Sequence, residues 1–213
     1  MPPREPAPDA RLANLVGAVA TGVADAMQEA MCTTAGLDAA SASALVALLD
    51  FCPGGSVQYL SRVVGLTHSG TVRLVDRLVD GGYVARVRGR DGRSRSVTLT
   101  PEGARLARRV RRARARGVAQ MLATLSESDR ARLTQLSEVL VGTIVQQRLA
   151  RRARGDPPAG GALCRTCDFA ACGRDSGRCP AARSAGAPTP AGSGRDTPRP
   201  SLSRRMTTSS PRR

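Results

Sequence analysis

The chain has 213 residues, enough for one ordinary domain with extensions. No apolar run approaches the roughly 18–20 residues of a membrane-spanning helix, and the start MPPREPAPDA has no apolar stretch of the kind a secretory leader needs; the expectation is a cytoplasmic protein with no membrane partner. The formal net charge is +16, all of the positive charge is Arg, and aromatic residues make up only 2% with no Trp.

The charge is unevenly placed. Residues 1–55 carry two Arg against six acidic residues, whereas residues 56–116 carry fifteen Arg against four. A basic middle beside an acidic start is the electrostatic footprint of a protein that meets a polyanion. Single-stranded nucleic acid is bound largely by stacking bases on aromatic rings, so the scarcity of aromatics favours duplex DNA. The core must be built from Leu, Val, Ala and Met, which suits closely packed helices.

In chain order, residues 1–8 are Pro-rich and read as disordered. Asp9 reads as the N-cap of a long helix whose stripe is Leu12, Leu15, Val16, Val19, Val23, Met27 and Met31, spaced by threes and fours. Gly36 ends it. Asp38 can cap a second helix containing Leu45, Val46, Leu48 and Leu49, which Cys52-Pro53-Gly54-Gly55 stops. Ser56 opens a short helix closed by Gly65, and Thr67 caps another that runs to about Asp80, with Val72, Val75, Leu78 and Val79 as its buried face. Helix, tight turn, helix is the pattern of a helix-turn-helix. After Gly81-Gly82 the period changes to that of strands at 83–87 and 96–100, joined by a basic, Gly-punctuated loop. Such a hairpin after a helix-turn-helix is a wing. Thr100-Pro101 then opens a helix toward Thr124, and Ser126 or Ser128 opens a last one striped by Leu133, Leu136, Leu140 and Ile144. Residues 155–180 form a cysteine-rich extension, and 181–213, with seven Arg and one Asp, read as a disordered basic tail.

The run Leu66-Thr67-His68-Ser69-Gly70-Thr71-Val72-Arg73-Leu74-Val75-Asp76-Arg77-Leu78, then Gly81-Gly82-Tyr83-Val84-Ala85-Arg86, the wing signature Asp91-Gly92-Arg93 and the exit Val97-Thr98-Leu99-Thr100-Pro101-Glu102-Gly103 resemble the MarR (multiple antibiotic resistance regulator) family. The resemblance covers roughly residues 10–150. It implies a mainly α fold of order α-α-α-α-β-β-α-α, a winged helix-turn-helix with long N- and C-terminal dimerisation helices over 9–154 and a DNA-binding core over 56–100. Gly70, in the second turn of the recognition helix, departs from the pattern at a cost on the order of 1 kcal/mol relative to Ala.

By the same resemblance, Thr67, His68, Ser69, Thr71 and Arg73 face the major groove, where Arg73 could grip guanine O6 and N7 as a fork. Arg77, Arg62 and Ser56 are expected at phosphates. In the wing, Arg90 is the tip residue at the minor groove, Asp91 holds Arg93, and Arg88 and Arg95 contact backbone. His68 is the one histidine of the chain, and no catalytic constellation pairs with it, so an enzyme is not expected. The family's intertwined outer helices imply a homodimer on a pseudo-palindromic operator. A small-molecule effector would sit between the winged domain and the dimer helices.

Cys164-x2-Cys167-x4-Cys172-x6-Cys179 is not explained by this fold. Four thiols in a short segment of a reducing compartment favour metal over disulfides. Structural Zn²⁺ on four thiolates leads, with an Fe–S cluster and a thiol redox sensor as alternatives. Arg165, Arg174 and Arg178 would offset the negative charge. Cys32 and Cys52 read as small buried hydrophobes. Three functions follow: a ligand- or stress-responsive repressor, a regulator whose cysteine site senses metal or redox state, and a nonspecific architectural DNA-binding protein.

Overall fold

The computed structural model describes residues 8–88, 95–156 and 160–186. Helix α1 (Pro8–Ala35) starts one residue before the expected cap, so Asp9 lies in its first turn. Gly36, at φ 64°, ends it in the left-handed region that a Cβ disfavours. Asp38 caps α2 (Ala39–Val46) by accepting from the Ser41 backbone N–H at 2.9 Å. The following turn widens into a π-helix over Ala47–Phe51, closed by Cys52 N–H donating to Ala47 O at 2.8 Å. That widening carries the helix up to the expected Cys52-Pro53 stop and was not legible in the periodicity.

Ser56 and Thr67 cap α3 (Val57–Val64) and α4 (His68–Asp80) with their hydroxyls. Strands β1 (Val84–Arg88) and β2 (Arg95–Leu99) pair antiparallel from Val84–Leu99 to Arg88–Arg95, one residue displaced from the expected limits. An isolated bridge between Ser56 and Ser96, with Val97 N–H on Gly55 O at 2.9 Å, fastens the wing to the start of α3. Thr100 caps α5 (Pro101–Leu122), and Ser126 caps α6 (Glu127–Ala153).

The core sits where α2, α3, α4 and α5 meet the hairpin, with Leu45, Leu60, Leu74, Leu78, Val97 and Val110 almost wholly enclosed. On α4 the enclosed stripe is Thr71, Leu74, Val75 and Leu78, while Val72 and Val79 are only half-buried, a rotation of the face expected from sequence. Helix α1 packs along α5, and Gly117 lets them approach, since a Cβ there would stand 3.1 Å from Ala26 O. Helix α6 has no buried residue.

The expected tail boundary is corrected. Residues 181–186 are structured, because α7 (Pro180–Ser184) lies against α6 with Gln146 donating to Ser184 O. No single described helix is long and apolar enough to cross a membrane. Residues 9–35 and 39–51 reach that composition only jointly, across an 84° bend.

Candidate functional site: a nucleic-acid interface and a docked thiol cluster

Helix α4 buries one face, so residues half a turn away must face solvent. Ser69, Arg73 and Asp80 lie on that outer face, and His68, Thr67 and Arg77 are exposed beside it. Gly70 sits where its N–H meets the capping Thr67 hydroxyl at 3.1 Å; a Cβ would stand only 3.0 Å from that oxygen. Thr71 is corrected: it is fully enclosed, and its hydroxyl donates to Thr67 O at 2.9 Å. It belongs to the core and does not reach the groove.

Other expected contacts have structural duties as well. Ser56 spends its hydroxyl on the Tyr59 N–H, and Arg77 pairs with Asp38 at 3.3 Å. Burial opposes ionisation of Asp38, but the Ser41 N–H and hydroxyl and the Arg77 charge outweigh it and hold the carboxyl below its usual range. Arg62 and Arg95 are exposed. Arg90, Asp91 and Arg93 lie outside the described residues, as does the side chain of Arg88. Arg86 was missed: it reaches back from β1 to Asp76 of α4 at 2.6 Å and ties the wing to the recognition helix. Its place on a strand beside the Gly81-Gly82 turn was the available signal.

The cysteine segment folds as consecutive turns and docks on the winged domain. Ala162 N–H donates to Val63 O at 2.8 Å, and Gly161 lies so close to the end of α3 that a Cβ would stand 2.4 Å from the same carbonyl. Phe169 meets Phe51 edge to face at 6.1 Å, and Arg174 covers Phe169 at 4.6 Å. Arg111 of α5 bridges Asp50 at 2.5 Å and Asp168 at 3.3 Å.

All four cysteines carry free thiols and come together in pairs: Cys164 hydrogen-bonds Cys167, and Cys172 hydrogen-bonds Cys179. The pairs also sense each other's charge, Cys164 with Cys179 and Cys172 with Cys167. The Cys164 hydrogen bond, helped by Arg114, Arg174 and Arg165, pulls Cys167 down to about 6, whereas burial lifts Cys172 to about 11. Arg165 and Arg174 are where the sequence placed them. Arg114, from α5, was not foreseen, and its buried Nε has no hydrogen-bond partner. Arg178 instead donates to Ser176 at 3.1 Å. Among the described residues no three His, Cys, Asp or Glu side chains already stand in metal-holding positions. Cys52 is buried, as expected, and burial pushes its thiol up to about 12; Cys32 is only half-buried.

Helices α1–α5 around a two-stranded wing, with α6 and α7 packed together beyond them, define a winged helix-turn-helix fold. Residues 35–94 match the model of the MarR family. A MarR family protein from Bacillus stearothermophilus is 28% identical, with a TM-score of 0.55 over 62% of this chain and 91% of its own. Sco3205, a MarR family transcriptional regulator from Streptomyces coelicolor solved in complex with DNA, shares the fold at 20% identity, with a TM-score of 0.51 over 66% of this chain and 94% of its own. CouR from Rhodococcus jostii RHA1, solved with p-coumaroyl-CoA, shares it at 23% identity and a TM-score of 0.50, over 64% of this chain and 95% of its own. No curated protein matches the chain.

Proposed function

We propose that the protein is a homodimeric transcription regulator, not an enzyme, that represses by binding a pseudo-palindromic DNA operator. The observation that carries this reading is the two-faced α4: a buried stripe fixes the helix, and Ser69 and Arg73 are left on the outer face beside His68. In this reading α4 lies in the major groove, Arg73 reads a base edge, and Arg62, Arg77 and Arg95 meet phosphates. The DNA complex of Sco3205 supports the arrangement.

Dimerisation is supported by apolar surface that the single chain leaves uncovered. Leu12, Leu15, Val16 and Val19 of α1 and Leu136, Val139 and Leu140 of α6 are exposed, a pattern water disfavours unless a second copy covers it. A groove of about 530 Å³ between α5 and α6, lined in part by Val118, Leu122, Leu133 and Val141, is a place for an apolar effector. The ligand complex of CouR supports regulation by a small molecule.

The test is selection of duplexes from a random pool by the full chain, followed by binding at several salt concentrations. A symmetric consensus with half-sites about one helical turn apart, bound far more tightly than random duplex, is the expected result. Salt-dependent binding with no sequence preference would replace it with an architectural role.

A further inference from the structure

We propose that the cysteine module, residues 160–186, is a clasp that fixes the winged domain against α6, and that Gly161 and Ala162 thereby set the half-site spacing the dimer accepts. The proposal rests on the dimeric, DNA-binding reading above.

One peptide unit carries it. The Gly161–Ala162 peptide is planar and rigid, and its two polar groups are taken by two different helices. Its N–H donates to Val63 O in the last turn of α3 at 2.8 Å, and its C=O accepts from Arg148 of α6 at 2.9 Å. The last carbonyls of a helix have no partner within it, so Val63 O, just before the turn of the helix-turn-helix, takes one from outside. Backbone meets backbone here because both sides lack side chains. A Cβ on Gly161 would stand 2.4 Å from Val63 O, and one on Gly65 would stand 2.4 Å from Gly161 N.

Further contacts hold the rest of the module to the same two bodies. On the winged domain, Phe169 meets Phe51 edge to face, and Asp168 reaches Arg111 of α5. On α6, Gln146 donates to Ser184 O, and a Cβ on Gly142 would stand 2.9 Å from the Ser184 hydroxyl oxygen. Helix α6 itself buries no residue, and among the described elements the one it packs along is α7. The angle between α6 and the recognition helix is therefore held by the clasp and by the short turn that leads from α5.

In a dimer joined through α6, that angle fixes the distance between the two recognition helices. Half-sites one turn apart lie about 34 Å from each other, so one base pair more or less moves them by about 3.4 Å and turns one by about 36°. Recognition helices held in place cannot follow that change, whereas a winged domain released from the clasp can swing to meet it.

The experiment uses the full chain and its selected duplex, with further duplexes carrying one base pair more or fewer between the half-sites. For the unmodified chain, each change of spacing is expected to weaken binding on the order of a hundredfold. Gly161→Ala, which drives a Cβ against Val63 O, and Ala162→Pro, which removes the N–H, should each cut that penalty to about tenfold or less, with the dimer intact by light scattering. Amide exchange across residues 61–66 should rise in both. Ala162→Ser keeps the N–H and should keep the full penalty. These substitutions spare the fold, because the enclosed core of the winged domain contains no residue of 160–186 and Ala162 packs against it only from outside. Raised exchange with an unchanged spacing penalty overturns the role in spacing. Exchange that rises in neither variant overturns the clasp itself. A pool from which the unmodified chain selects no duplex overturns the DNA-binding reading, and raised exchange in the variants would then leave the clasp standing.

Discussion

At the scale of single residues, Thr71 and Arg73 are two positions apart and separate cleanly into core and surface. Thr71 is enclosed with its hydroxyl on Thr67 O, so Thr71→Val should leave DNA affinity unchanged while costing about 1 kcal/mol of stability from the lost hydrogen bond. Arg73→Ala should do the reverse, losing about 1–3 kcal/mol of operator binding and discrimination at one base pair, with denaturant midpoint unmoved. Competition binding against single-base operator variants, paired with urea titration, checks both. Gly103 shows a tighter constraint. A Cβ there would fall 1.8 Å from Tyr83 O, where α5 crosses the start of the wing and Thr100 N–H binds the same carbonyl at 3.0 Å. Gly103→Ala must push α5 off the strand, and a loss of about 1–3 kcal/mol in urea unfolding is expected.

At the scale of elements, the recognition helix is held at three places by its neighbours. Arg86 draws the wing toward Asp76, Arg77 ties the helix to the cap of α2 through Asp38, and the cysteine module grips the turn before it. The Asp38 pair has a pH consequence. Its carboxyl is held below the usual value of about 3.9, so its contribution to stability is fully present above that value and is lost as the pH falls through the lower, folded one. Asp38→Asn keeps a capping oxygen but loses the charge. The variant should therefore show a shallower acid limb below about pH 4, measured by circular dichroism against pH.

At the scale of the whole molecule, α6 is a 27-residue helix with none of its residues buried, and Val139 on it is 66% exposed. A helix this bare is held by something other than its own chain's core. Val139→Glu together with Leu136→Glu should yield a monomer by light scattering, with operator affinity falling because two half-sites are no longer gripped at once. If the double variant remained dimeric, α6 would not be the dimer face.

The sequence by itself determined the elements and their order, because that information is local. Asp38, Ser56, Thr67, Thr100 and Ser126 announce helix starts through a hydroxyl or carboxylate that satisfies a free N–H, and the change from helical to strand period marks the wing. The basic outer residues of α4 and the spacing of the four cysteines were legible for the same reason. Only the tertiary structure decided which way α4 is turned, and so that Thr71 belongs to the core, because a stripe of Val, Leu and Thr permits more than one rotation. It alone brought Arg114 and the cysteines together and set Ala162 against Val63, pairings across more than forty residues that no local pattern encodes. Caps are chemistry between near neighbours, whereas the clasp depends on the packing of helices distant in sequence.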